Sequence, residues 1–154
     1  MTRVEPAASP EAIATARELF VEYQRAIGVD LCFQGFQAEL ASLPGAYAPP
    51  RGRLLLAWVD GEPAGWGALR PLGGDAAEMK RMWVRPGFRG RGLGRTVAEA
   101  LLQAARAEGY ARVRLDTLPV MTEARALYQS LGFRATAPYN DNPHPGAIHM
   151  ELAL

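Results

Sequence analysis

The sequence predicts one α/β domain over residues 1–154, organised round a central mixed, mostly antiparallel sheet with about four flanking helices. Three observations carry that expectation. Residues 54–85 hold three runs of strand character separated by the turn signals Asp60-Gly61 and 73–75, a meander of antiparallel strands. Residues 77–117 then read strand, glycine-rich turn, helix, strand, an order that implies a right-handed crossover and a parallel pair. Finally, 154 residues with 49% hydrophobic and 21% charged side chains can bury a core without disulfides and lie far from the composition of a disordered chain.

The first strand is short, residues 1–5, and is ended by Pro6 and Pro10. Ile13, Ala16, Leu19, Phe20, Tyr23 and Ile27 fall at helical spacing over residues 11–27, with Ser9 or Pro10 opening the helix and Gly28 closing it. Phe33, Phe36, Leu40 and Leu43 predict a shorter second helix broken by Pro44 and Gly45, and residues up to Pro50 read as loop. Residues 54–60 form a buried strand and 63–72 its return. In 77–85, Lys80, Met82 and Val84 alternate with Met79, Arg81 and Trp83 as a third strand, stopped by Pro86. Trp58, Trp66 and Trp83 are spread over these three strands and fill the core.

Leu93, Val97, Leu101 and Ala104 form the apolar stripe of a helix ending at Gly109, and residues 112–117 are the next strand. Thr122 is a candidate N-cap, Glu123 suits the first turn, and Ala124, Leu127, Tyr128 and Leu131 make the last helix's stripe, closed by Gly132 and Phe133. Two strands flank the proline-rich stretch 138–146, with 147–152 the last.

Composition excludes several classes of function. The formal net charge of +1 gives no pull toward nucleic acid or anionic membrane. Cys32 is the only cysteine, so no disulfide framework or thiolate metal cluster is available; His144 and His149 lack ligand spacing, and no metal is expected. Residues 1–20 lack a signal-type apolar core, and the apolar run 54–59 is too short to span a bilayer. A cytoplasmic chain without a membrane partner is the expectation.

The chemistry concentrates in Arg89-Gly90-Arg91-Gly92-Leu93-Gly94-Arg95, between a strand and a helix. Its glycines allow a ligand close to the backbone, the free N–H groups of the helix start favour anions, and the guanidinium groups suit phosphate oxygens. A dinucleotide fingerprint would need glycine where Arg95 stands, and a P-loop would need lysine where Leu93 stands. With both excluded, Arg89, Gly92 and Gly94 match the pattern Arg or Gln, two residues, Gly, any residue, Gly or Ala. The string Ala126-Leu127-Tyr128-Gln129-Ser130-Leu131-Gly132-Phe133 stands at the next helix. On these motifs residues 78–133 resemble the GNAT superfamily of acyl-CoA-dependent N-acetyltransferases.

That resemblance implies a GNAT fold with one splayed parallel strand pair, and transfer of the acetyl group of acetyl-CoA, as cosubstrate, to a primary amine of a small molecule or peptide. It implies pantetheine pairing with the backbone at Met82 and Val84, the Met82 amide as oxyanion donor, and pyrophosphate held by residues 89–95. Glu78 stands where some lysine-acetylating members hold a general base; its alternative is a structural charge paired with Lys80 or Arg81. Tyr128 stands where the family commonly protonates the coenzyme A thiolate; its alternative is packing on the helix stripe. The asparagine that many members carry seven residues before that tyrosine is here Met121. Residues 29–50 and 138–146 correspond to the family's acceptor-selecting segments; Phe33, Phe36, Tyr47, Tyr139, Arg51, Arg81 and Asp141 are candidates to line a substrate pocket, with packing or surface roles as the alternative for each. A homodimer is frequent in the family. Two other classes are weighed: a non-catalytic acyl-CoA-binding regulatory module, opposed by Glu78 and Tyr128, and a nucleic-acid surface over Lys80, Arg81, Arg85, Arg89, Arg91 and Arg95, opposed by the near-neutral charge.

Overall fold

A strand that alternates apolar and polar residues must find different company on its two faces, and this sheet provides it. The computed structural model describes residues 1–27, 36–140, 142 and 146–154. The elements are β1 (Thr2–Pro6), α1 (Pro10–Ile27), α2 (Phe36–Ser42), β2 (Arg53–Val59), β3 (Glu62–Gly73), β4 (Ala76–Val84), α3 (Leu93–Ala107), β5 (Arg112–Thr117), α4 (Thr122–Ser130), β6 (Arg134–Ala135) and β7 (Ile148–Ala153). The seven strands lie in the order β1-β2-β3-β4-β5-β7-β6, antiparallel throughout except for the parallel pair β4 and β5.

One face packs on α3 and α4. Leu93, Val97, Ala98, Leu101 and Leu102 of α3 and Tyr128 of α4 bury against Leu55, Met79, Val113, Leu115 and Met150. The other face packs on α1 and α2 only over its first half, where Leu19 and Phe20 meet Leu54, Leu56, Trp66 and Ala68. Phe20 stacks on Trp66 with ring centroids 3.8 Å apart. Beyond β4 that second face turns polar: Arg112, Arg114 and Asp116 alternate with the core residues Val113 and Leu115, and His149 and Glu151 flank the core residue Met150.

Two irregularities in β4 open the sheet. Its parallel pairing with β5 comprises only Ala76 with Arg112, Ala77 with Val113 and Glu78 with Arg114, after which the strands part. Against β3, Trp66 faces Trp83 but Ala68 faces Lys80, so Gly67 opposes Arg81 and Met82 together in a β-bulge. The bulge overrides the strict alternation expected for 77–85. Met82 and Val84 join Met79 on the α3 face instead of sharing a face with Lys80, while Trp83 turns to the α1 cluster.

Other expectations also shift. Ala12 N donates to Ser9 Oγ at 3.1 Å, so Ser9 caps α1, but Thr122 is the first residue of α4; Met121 holds the cap position without a side-chain bond. Ala105, not Ala104, completes the buried stripe of α3, and Gly45–Tyr47 forms a 3-10 turn within the expected loop. Trp66 is fully buried, whereas Trp58 and Trp83 are partly buried against the same cluster. The expectations placed on Gly28, Cys32, Phe33, Asp141 and His144, and on the side chains of Phe36 and Arg81, fall outside the described residues and side chains. Among the described residues no helix is long and apolar enough to cross a membrane.

Gly67 marks the tightest point of the bulge. A Cβ there would lie 2.5 Å from Met82 Sδ and 2.8 Å from Val97 Cγ1, and the β-branched valine has little room to yield. Gly67→Ala is expected to destabilise the chain by about 1–3 kcal/mol, read as a lower urea midpoint; an unchanged midpoint would show that the bulge absorbs the methyl group.

Candidate active site

The stretch of β4 beyond its pairing with β5, the turn after it and the first turn of α3 together wall a cavity of about 720 Å³. Met82 and Val84 line it from β4, Arg89, Gly90, Gly92, Leu93, Gly94 and Arg95 from the loop and helix, and Leu127 and Tyr128 from α4. Arg91 does not line it: its exposed guanidinium lies over the Phe88 ring, 5.5 Å from the centroid.

The anion-binding end arises from local backbone geometry. Gly92 caps α3 at φ +76°, a left-handed conformation that other residues reach only with strain, and it supplies no side chain to the helix start. The first intrahelical bond is Thr96 N to Gly92 O, so the N–H groups of Leu93, Gly94 and Arg95 begin the helix without such partners and face the cavity end of its dipole. Arg89 lies 4.7 Å above the Trp83 ring and donates through Nε to Val84 O at 2.9 Å, so it engages the backbone of a residue expected to pair with pantetheine. Arg95 bonds Ser130 Oγ and pairs with Glu99 at 3.5 Å, both at exposed positions. Glu22 and Arg85 form a two-pronged ion pair, at 2.9 and 3.0 Å, that ties α1 to the start of the loop.

Tyr128 sits on the α4 wall, buried and packed against Phe133 at 5.8 Å between ring centroids. Burial above all, with smaller contributions from Tyr23 and Asp116, raises its pKa well above the ordinary phenol value. The hydroxyl therefore stays protonated across the neutral range. Tyr128 packs in the core, as one alternative has it, and also lines the cavity.

Glu78 is placed differently. It is fully buried, does not line the cavity, and has both carboxylate oxygens engaged, Oε1 by Arg70 Nε and Oε2 by the Tyr139 hydroxyl, each at 2.7 Å. It is thus held by Arg70 across the β3–β4 ladder and by Tyr139 from the tail, where the sequence suggested Lys80 or Arg81. Burial and then the Glu78 charge raise the Tyr139 pKa, which keeps that phenol a donor. The structure does not bring Glu78 and Tyr128 into one cavity.

Sequence reasoning passed over several lining residues. Tyr23, read as part of a buried stripe, reaches the cavity from α1, and Phe88, Val120 and Met121 supply apolar wall. Met121, at the usual asparagine position, accepts a 3.7 Å contact from Thr117 Oγ1 at its sulfur, so this wall is a thioether instead of an amide. Among the described residues no group of three or more metal-ligating side chains gathers.

Tyr139→Phe would leave one oxygen of a buried carboxylate without its donor. The expected loss is about 1–3 kcal/mol in urea unfolding, with turnover little changed. Unchanged stability with altered turnover would give Glu78 a working role rather than an anchoring one.

Comparison with known proteins agrees with this geometry. Residues 14–133 match the model of the Acetyltransferase (GNAT) family. An N-acetyltransferase of Schizosaccharomyces pombe is 38% identical over 147 residues, covering 94% of this chain and 90% of its own length. A GNAT-family acetyltransferase structure from Staphylococcus aureus superposes with a TM-score of 0.83 at 17% identity, covering 99% of both chains. A PaiA N-acetyltransferase from Thermoplasma acidophilum, solved in complex with coenzyme A, superposes at 0.75 with 16% identity over 100% of this chain and 99% of that one. The sheet with its single splayed parallel pair, the glycine-rich turn feeding α3 and the family match over most of the chain have one reading: this chain is an acyltransferase belonging to the GNAT family of N-acetyltransferases.

Proposed function

We propose that the chain transfers the acetyl group of acetyl-CoA directly to a primary amine of a small molecule or peptide, with Tyr128 supplying the proton that the leaving thiolate needs. The observation that carries this reading is the continuity of one cavity from the start of α3, which has no side-chain cap, past Met82 and Val84 on the part of β4 that β5 does not pair, to the buried Tyr128. The residues present suit coenzyme A. N–H groups and Arg89 and Arg95 take pyrophosphate at one end, open backbone of β4 takes the amide-bearing arm, and Tyr128 stands near the far wall. Acetyl-CoA supplies an activated acyl group on sulfur.

Each remaining requirement falls to a residue of the chain. The bulge at Arg81 and Met82 leaves backbone out of the ladder, and the Met82 N–H is the group we assign to stabilise the developing oxyanion. Tyr128, with its raised pKa, is too weak an acid to lose its proton outright to a thiolate. It acts instead as a relay: the hydroxyl gives its proton to sulfur as the carbon–sulfur bond breaks, and regains one from the nitrogen, whose acidity rises once the carbon–nitrogen bond has formed. Glu78, held by Arg70 and Tyr139, anchors the acceptor-side tail to β4 in this reading.

Tyr128→Phe is expected to lower kcat by about 10²–10⁴-fold while coenzyme A affinity stays within a few-fold, measured by thiol release and calorimetry on the same preparations. Equal loss of binding and turnover, or no loss of either, would remove Tyr128 as the acid. Because the phenol stays protonated, the wild-type pH–rate profile is expected to show no basic limb from Tyr128 near neutrality.

A further inference from the structure

A direct transfer also needs a group that takes a proton from the incoming ammonium, and Glu78 is fully buried with both oxygens hydrogen-bonded. The polar half-face of the sheet offers another carboxylate. Asp116 lies on β5 two residues beyond Arg114, the last position paired with β4, so it borders the gap where the strands part. Alternation points it away from the core that holds Val113 and Leu115, onto the face opposite α3 and α4.

Its surroundings hold one oxygen and leave the other open. Asn140 Nδ2 and Asn142 Nδ2 both donate to Asp116 Oδ2, at 2.9 and 3.0 Å, while Oδ1 accepts no bond among the described residues. Asn140 is itself fixed by His149, whose Nε2 lies 2.8 Å from Asn140 Oδ1, and His149 is the cross-strand neighbour of Asp116 on β7. Tyr139, next in sequence to Asn140, packs edge-on against the His149 ring at 5.2 Å. The acceptor-side tail is thus drawn over β5 and β7 to orient one carboxylate. The Asp116 charge also contributes to the raised pKa of Tyr128.

We infer that Asp116, oriented by Asn140 and Asn142 at the parting of β4 and β5, binds the ammonium of the acceptor and is the general base of the transfer. This rests on the proposed amine acetylation and adds to it the group that selects a cationic amine. Asp116 takes one proton from R–NH3⁺; the freed nitrogen lone pair forms the carbon–nitrogen bond as the carbon–sulfur bond breaks with its electron pair on sulfur. Tyr128 gives sulfur a proton and regains the second nitrogen proton, and Asp116 later releases its own to water. Among the described residues, the charged and titratable groups round Asp116 are His149 and Glu151 on β7, Arg114 on β5, Glu78 and Lys80 on β4, Tyr139 on the tail, and Tyr128 of α4.

Two measurements test the assignment, both on the full chain saturated with acetyl-CoA or coenzyme A and with ethanolamine as the amine. In turnover by thiol release, Asp116→Asn is expected to lower kcat about 10²–10⁴-fold and to abolish the acid limb of the pH–rate profile, with Asp116→Glu recovering part of the rate. Retention of that limb in Asp116→Asn, with coenzyme A binding intact, would overturn the assignment. Because that variant sets an amide against two amide donors and is liable to misfold, the second measurement uses the wild-type chain. The ¹³C resonance of the Asp116 carboxyl, with coenzyme A bound, is expected to move on adding ethanolamine, and a resonance that does not move overturns the assignment whatever the turnover. Absence of coenzyme A binding would instead count against the acetyltransfer reading itself.

Discussion

The parting of β4 from β5 after Glu78 is the constraint on which the rest of the site depends. A parallel pair kept in register to the end of β5 would consume the β5-facing backbone groups of residues 79–81 and close the sheet. Here the bulge opposite Gly67 adds a residue to β4 and increases its local twist, and the pairing ends after Ala76, Ala77 and Glu78. The cost is a stretch of unpaired backbone at the middle of the molecule, which a protein tolerates where another partner is to take its place. Every lining element is arranged round that opening: α3 starts at one end of it, α4 covers it, and α1 reaches it through Tyr23.

The two faces of the sheet divide the work. The face on α3 and α4 is apolar along its length, and Tyr128 keeps its proton because it is buried there. The opposite face is apolar only under α1 and α2 and then carries Glu78, Arg114, Asp116, His149 and Glu151. Such a surface is costly unless its groups are satisfied. The pairs Arg70–Glu78, Arg114–Glu151 and Asp116–Asn140 satisfy it, and Tyr139 and the asparagines of the tail lock it to the strands.

Much of this was legible in the residues. The hairpin signals, the Arg89 to Gly94 loop and the Leu-Gly-Phe ending of α4 each name a local geometry that only particular residues adopt, and the antiparallel meander and the one parallel pair were read from the same signals. What escaped was long-range. The bulge depends on Gly67 accommodating Met82 and Val97, a contact across strands and a helix that no period-2 pattern reveals. Glu78 looked like a base by its offset from Gly94, yet its partners are Arg70 and a tyrosine 61 residues away. Asp116 read as one polar position of an alternating strand; its clamp comes from Asn140 and Asn142 beyond a strand, a helix and a turn. Thr122 had the right chemistry for a cap and missed by one position, because the turn at 118–121 had already begun the helix at Met121.

The most direct test of the central claim, that the opening beside β4 and the start of α3 form one coenzyme A site, is calorimetric titration of the chain with acetyl-CoA and, separately, with pantetheine, which lacks the phosphates. The account predicts saturable binding of acetyl-CoA and a large loss of affinity for pantetheine, since the N–H groups of α3 and the guanidinium groups of Arg89 and Arg95 would have no anion to hold. Equal affinity for the two ligands, or no binding of acetyl-CoA, would contradict it.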